Sequence, residues 1–302
     1  MAHWRLWMAV VGLTVVAAAK VAAEPAPMAA HVALPSSPVP IRLLLTFDDG
    51  PSAREGDNPT VQILDSLARN AIQPGIKAIF FVQTGAVNGG ATPRGRALMR
   101  RMQDEGHVLG FHTATPGHTS HTRLGDGVLE ASLSEGLATH VELSGRQPAL
   151  VRPPHWAYDA RTFAAYQRHG LNVVMTDLSA NDGKIPWPNA SLRRRSHFEH
   201  QMRELRRRVA DLPLVDGVRP VVVTFHDANP FTGDHIDEYL QILLDGAAKA
   251  GLTLAERPFY DAAPAIEAAA QARALTDPSV QVRIPGFWTS LLAWLLPEPP
   301  LE

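Results

Sequence analysis

Two adjacent carboxylates, Asp48 and Asp49, close the apolar run Leu43-Leu-Leu-Thr-Phe47 and are followed at once by Gly50-Pro51. An apolar run ended by a Gly-Pro breaker reads as a buried strand that delivers both carboxylates to its carboxyl end, where α/β folds keep their chemistry. Neighbouring residues on a strand point to opposite faces, yet both reach one cleft where the strand gives way to a turn. Such a pair invites a division of labour, one carboxylate holding a cation and the other handling a proton. For Asp-Asp-Gly-Pro in isolation, an Asx turn at a strand end is the plain alternative.

Four further strand ends carry side chains that fit the same chemistry. His112 follows the apolar stretch Val108-Leu-Gly-Phe111, and the segment after it offers both His118 and His121. Asp49 with His112 and one of those two histidines makes three protein ligands and an open position, the composition of a catalytic metal site. A cation held there lowers the pKa of its water to about 7, with Asp48 beside it to take the proton. Arg152, Asp177 and the pair His226-Asp227 end the later apolar runs.

The elements that must position these residues alternate. Strands are expected over 43–47, 77–82, 107–111, 149–152, 172–176, 220–225 and 252–255. Helices are expected over 58–70, 94–105, 127–143, 160–169, 192–212 and 235–250, the first capped by Asn58 with Pro59 at its first position. Strand and helix alternating about seven times imply a parallel α/β sheet or a (β/α) barrel. Polar residues at so many strand ends favour the barrel, because an open doubly wound sheet gathers its ligands at one switch point. The helix over 192–212 places Phe198, Met202, Leu205 and Val209 on one face and arginines elsewhere, a surface-helix pattern. His197 and His200 on it have nothing nearby to complete a metal site and read as surface histidines.

A 302-residue chain with 45% hydrophobic and 19% charged residues is ordinary for a globular protein. Its formal net charge of -2 argues against general nucleic-acid binding. The absence of cysteine excludes disulfides, thiolate metal sites and a cysteine nucleophile, so any metal must be held by histidine and oxygen. Residues 1–23, with Arg5, an apolar centre and the end Val21-Ala-Ala23, read as a secretory signal peptide. Residues 24–40 form a Pro/Ala-rich leader, 41–257 the catalytic domain, and 258–302 a C-terminal extension. The extension holds one more helix over 264–274 and an apolar run over 285–297 that is too short to span a bilayer. These features imply export to a periplasm or cell envelope and allow a peripheral membrane or envelope association.

From about Ile41 to Ala255 the chain resembles the polysaccharide deacetylase family, the NodB-homology domains of carbohydrate esterase family 4. The opening motif of that family, Thr-Phe-Asp-Asp-Gly-Pro, stands unaltered at Thr46–Pro51. The helix that begins Asn58-Pro-Thr and the strand Lys77-Ala-Ile-Phe-Phe-Val82 resemble its next two elements. The resemblance implies a distorted (β/α) barrel of about seven parallel strands, with Asp48 as catalytic base and Asp49 as metal ligand. The second motif, His-Ser/Thr-x-x-His, is widened here. Its start matches Gly106-His-Val-Leu-Gly-Phe-His112-Thr and its end matches Ser120-His121-Thr-Arg-Leu124, which assigns the second histidine ligand to His121 with His118 as a close rival.

The third motif, Arg-x-Pro-Tyr-Gly, appears as Arg152-Pro-Pro154-His155-Trp156. By that match Arg152 orients Asp48 and the backbone N–H of His155, after Pro154, is the oxyanion donor. Trp156 stands in place of glycine and offers a sugar a stacking face. The fifth motif matches the strand ending His226-Asp227 and implies that His226 is the general acid. The fourth motif supplies an aspartate that tunes this histidine, usually followed by tryptophan; Asp182 is preferred over Asp177, and no tryptophan follows either.

The resemblance thus implies a metal-dependent hydrolase that removes acetyl groups from an N- or O-acetylated polysaccharide or cell-wall glycan. Its cofactor would be a divalent metal, zinc first, with cobalt, nickel or manganese able to use the same donors. Its partner would be the acetylated carbohydrate, and no nucleic acid. Two alternatives carry weight: a glycan-binding protein with a degenerate site, and an amidase acting on a small cyclic imide or ureide, which the export signal disfavours.

Overall fold

The computed structural model describes residues 38–184 and 194–280. The segment 1–23 read as a signal peptide, nearly all of the expected leader and the apolar run over 285–297 lie outside the described residues. Among the described residues, no helix is long and apolar enough to cross a membrane.

The strands β1 (Ile41–Asp48), β2 (Ile79–Gln83), β3 (Val108–Thr113), β4 (Leu150–Val151), β5 (Asn172–Val173), β6 (Leu178–Ser179) and β7 (Arg219–His226) form one sheet in the order β5-β4-β3-β2-β1-β7-β6. Every pairing is parallel, and β8 (Leu254–Phe259) joins the start of β1. The helices α1 (Pro59–Arg69), α2 (Pro93–Asp104), α3 (Asp126–Ser144), α4 (Ala160–Arg168), α5 (Arg194–Arg208), α6 (Pro230–Lys249) and α7 (Ala263–Ala272) connect or follow these strands. The result is an α/β fold in which seven parallel strands curl into a half-barrel, the distorted barrel expected from the sequence.

Alternation along β1 explains how this sheet makes both a core and a site. Leu43, Leu45 and Phe47 point outward and pack with Ile63 and Leu64 of α1, Phe198 and Met202 of α5, and Tyr239 and Leu240 of α6. Leu44 points inward, in a second cluster with Phe81, Val222 and Ile266, so α7 plugs the base of the half-barrel. Each fully buried side chain of this size contributes about 1.5–3 kcal/mol. Further along the same inward row stand Thr46 and Asp48, and on β7 Thr224 and His226. The row therefore changes from apolar at the base to polar at the mouth. The β1–β7 register sets Asp48 directly opposite His226.

Local signals account for most boundaries. Asn58 caps α1 by accepting from the Val61 N–H, with Pro59 at its first position. The same Asn-Pro device starts α6, where Asn229 accepts from the Phe231 N–H, and this sets its start at Pro230, a turn earlier than the hydrophobic periodicity suggests. Helix α5 ends at Arg208, and a short 3-10 turn, Val209–Asp211, completes the expected span. The two-residue β6 has no periodicity to reveal it and exists through its pairing with β7. Strand β8 runs to Phe259, beyond the expected span, because Leu254 and Phe259 pair with Ile41 and Leu43.

Candidate active site

Asp48 and Asp49 reach one cleft because the chain turns left-handed between them. Asp49 has φ 73, a conformation that aspartate tolerates better than most residues. Asp48, fully buried, is held by Arg152, whose Nη1 donates to Oδ1 at 2.9 Å. The same guanidinium donates to Thr46 Oγ1 at 2.6 Å, Thr224 Oγ1 at 2.9 Å and the Val174 carbonyl at 3.0 Å, and lies 4.4 Å over the Phe81 ring. Arg152 is itself fully buried; burial lowers its pKa, against the pull of Asp48. With its donors satisfied and its charge answered, it can afford this position.

Beyond Asp48, three donor atoms converge. His112 Nε2 and His118 Nε2 lie 3.1 and 3.2 Å from Asp49 Oδ1 and 3.0 Å from each other. His112 Nδ1 donates to the Arg152 carbonyl at 2.6 Å, which turns its Nε2 toward Asp49. Gln83 Nε2 donates to Asp49 Oδ1 at 3.0 Å and steadies the carboxylate. Burial would raise the Asp49 pKa, but His112, His226 and His118 outweigh it and hold the carboxylate well below its usual range. Burial pulls His118 down to about 4 against Asp49, with His112 and His155 adding to the fall, so its imidazole is neutral. A carboxylate and two imidazoles within 4.8 Å of one another fit the donor set of a divalent cation such as zinc.

The geometry separates the two candidates for the second histidine. His118, and not His121, stands with Asp49 and His112. The intervening loop is braced by its own threonines: Thr115 and Thr119 N–H groups donate to the Thr113 and Thr115 hydroxyls. It folds back at His118, which has φ 52. His121 comes later, opens the 3-10 turn His121–Arg123 and points into the core between α3 and α4. There its ring nitrogens meet Tyr166 Oη at 2.8 Å and Thr113 Oγ1 at 3.1 Å. Burial first, then His112 and His118, pull its pKa down to about 3.

Opposite Asp48, His226 is fixed by Asp182. Asp182 Oδ1 accepts from His226 Nδ1 at 2.6 Å, and Oδ2 accepts from the His226 backbone N–H at 2.8 Å and from Thr232 Oγ1 at 2.6 Å. Burial would lower the His226 pKa, but Asp182, and then Asp49 and Asp48, push it up to about 10. The imidazole is therefore charged at neutral pH, with Nε2 3.9 Å from Asp49 Oδ2. Gly183 gives the ring its room, since a Cβ there would meet His226 Cε1 at 2.6 Å. Asp177 is engaged elsewhere, with Arg273 at 2.7 Å, Arg208 at 3.2 Å and the Val222 N–H.

Pro154, His155 and Trp156 form a 3-10 turn on the near wall. His155 Nε2 donates to the His118 carbonyl at 2.8 Å, and Trp156 Nε1 donates to Asp48 Oδ2 at 3.1 Å. A cleft of about 240 Å³ opens above these groups, with Ser179, Asn181 and Gly183 on its far wall. Thr46 and Thr224 carry a sequence signal, as polar residues inside apolar strands. Gln83, Thr232 and Tyr166 carry none, because each acts through a partner distant in the chain.

Residues 37–174 match the family model described as polysaccharide deacetylase. The chain is 28% identical over 144 residues to a chitin deacetylase of Pestalotiopsis sp, covering 48% of this chain and 44% of that one. It is 28% identical over 146 residues to a peptidoglycan-N-acetylglucosamine deacetylase of Listeria monocytogenes, covering 47% and 27%. The chain thus spans less than half the length of these curated relatives. The solved chitin deacetylase of Colletotrichum lindemuthianum shares the fold, with a TM-score of 0.55 and 23% identity over 71% of this chain and 84% of that one.

Proposed function

We propose, from the premise that this chain belongs through residues 37–174 to the polysaccharide deacetylase family, that it hydrolyses the acetyl linkage of an N- or O-acetylated glycan. The observation that carries this reading is the convergence of Asp49, His112 and His118 between two complete pairs, Arg152–Asp48 and Asp182–His226. Asp49, His112 and His118 would hold a divalent cation, zinc first, with cobalt, nickel or manganese as substitutes; bound there it would activate water and polarise the acetyl carbonyl.

The rest of the chemistry belongs to the chain's own residues. Asp48, oriented by the Arg152 guanidinium at 2.9 Å, accepts the proton of the attacking water. The family resemblance assigns the developing oxyanion to the backbone N–H of His155, and the next backbone N–H, that of Trp156, is bonded to the Pro153 carbonyl at 2.9 Å. His226 carries a proton on the opposite wall and gives it to the departing amine or alkoxide, while Asp182 fixes the ring. Acetate and a free amine or hydroxyl leave. The half-buried Trp156 ring supplies a sugar with a stacking face. The completeness of both pairs supports turnover over a glycan-binding role. Export to a periplasm or envelope, read from residues 1–23, is part of the same proposal.

The test is acetate release by the purified full chain, loaded with zinc or cobalt, from chitin oligomers, peptidoglycan fragments and acetylated xylan. Release is expected from at least one of them, with Asp48→Asn slower by about 10²–10⁴-fold. No release from any acetylated glycan, or an Asp48→Asn variant as fast as the parent, overturns the reading.

A further inference from the structure

We propose that Trp156 is a positioning residue for Asp48: its indole N–H holds the carboxylate oxygen that Arg152 leaves free, so the base is gripped from both sides. This rests on the reading of Asp48 as the base. Arg152 Nη1 donates to Oδ1 at 2.9 Å, and Trp156 Nε1 donates to Oδ2 at 3.1 Å. Both are charge-assisted bonds, and together they fix the plane of the carboxylate. Oδ1 belongs to the buried side, in the network of Arg152, Thr46 and Thr224. Oδ2 lies on the side of the cleft that Trp156 lines. A carboxylate oxygen has two lone pairs, so the indole leaves Oδ2 one site at which to accept a proton.

The backbone supports this role independently. His155 and Trp156 both have φ 56, the left-handed region that residues with side chains rarely adopt. Strain of this kind persists only where surrounding contacts over-determine it, and it gathers at functional sites. Here each strained residue places one polar contact on the site. His155 reaches the carbonyl of His118, with the two rings 4.4 Å apart, and Trp156 reaches Asp48. The turn begins two residues after Arg152, so one short segment grips Asp48 from both sides and braces the loop that carries His118. On the opposite wall, Gly183 packs directly against the His226 ring, where a Cβ would meet Cε1 at 2.6 Å. The large ring thus stands on the base's side of the cleft, and its edge does work that a stacking platform alone does not require.

Trp156→Phe keeps an aromatic ring and removes the N–H. With the metal-loaded full chain on an acetylated glycan, kcat is expected to fall about tenfold while KM stays within about twofold, the split of a base left misplaced while substrate binding is kept. A second readout needs no turnover. In the metal-free, nitrogen-15-labelled chain, the indole N–H resonance that disappears in Trp156→Phe is expected to shift in Asp48→Asn, and the unchanged remainder of the spectrum reports that both variants fold. A raised KM at parental kcat in Trp156→Phe, or an indole resonance indifferent to Asp48→Asn, overturns the proposal. Loss of activity in Asp48→Asn beside parental kinetics in Trp156→Phe overturns this proposal alone. Full activity in Asp48→Asn overturns the base assignment and this proposal with it.

Discussion

Asp182 holds His226 at two points, through Oδ1 on the ring Nδ1–H at 2.6 Å and through Oδ2 on the backbone N–H at 2.8 Å. One carboxylate thereby sets both the position of the ring and its charge. Burial alone would lower the His226 pKa; Asp182, followed by Asp49 and Asp48, raises it to about 10. In Asp182→Asn the main raising charge is gone and the pKa falls, so the imidazole loses its proton at a lower pH. The alkaline limb of kcat/KM should move to lower pH, and kcat at pH 8 should drop about 10²-fold. The linked stability has a definite sign. In metal-free protein the charged His226 stabilises fully below about pH 6.5, and this is lost as pH rises through the raised value. Urea unfolding between pH 6 and 10 should show that loss in the parent and much less of it in Asp182→Asn.

Separate substitutions distinguish the two candidate histidines. His118→Ala should weaken zinc binding, measured by titration calorimetry, by about 100-fold or more, beyond the 10–100-fold typical of an outer-sphere change. His121→Ala should leave zinc affinity within about tenfold while costing about 1–3 kcal/mol of stability, because Tyr166 and Thr113 lose a buried partner. The opposite pattern would restore His121 as the ligand.

Arg152→Met strands a buried carboxylate. With Arg152 and Asp48 both buried, removal of one partner should destabilise the fold by about 3–5 kcal/mol in urea unfolding. Acetate release should fall at the same time, since Asp48 then loses the bond that orients it. Arg152→Lys should recover little of either property, because an ammonium cannot reach Asp48, Thr46 and the Val174 carbonyl together.

His140 makes an acid-sensitive spot away from the site. It sits on α3 beside the Phe111 ring, fully buried with Nε2 unpartnered, and burial lowers its pKa to about 4. A folded pKa below the unfolded value means stability that is present above about pH 6.5 and lost as pH falls through about 4. His140→Leu should remove about 3 kcal/mol of the difference between unfolding free energies at pH 7 and pH 4. An unchanged pH slope in urea titrations would show that His140 does not carry this term.

Much of the site was legible because its parts are local. The run Leu43–Phe47 ending at Asp48 and Asp49 announces a strand and its polar mouth in consecutive residues. Arg152 and His226 end apolar strands in the same way, and Asn58-Pro59 writes its own helix cap. Other parts had no local signal. The choice of His118 over His121 depends on a threonine-braced loop and on a Tyr166 that lies 45 residues further along. The indole bond to Asp48 joins residues 108 apart and was foreseen only as a stacking face.

By itself, the sequence determined the alternation of strands and helices, the polar strand ends and the cysteine-free donor set, because hydrophobic periodicity and residue chemistry act over a few neighbours. Only the tertiary structure decided partnership: which histidine meets Asp49, that Asp182 rather than Asp177 reaches His226, and that Trp156 turns its N–H toward Asp48. The physical reason is that a loop's path is set by what it packs against, here the core between α3 and α4 and the β1–β7 register. Those contacts join parts of the chain that no local pattern relates.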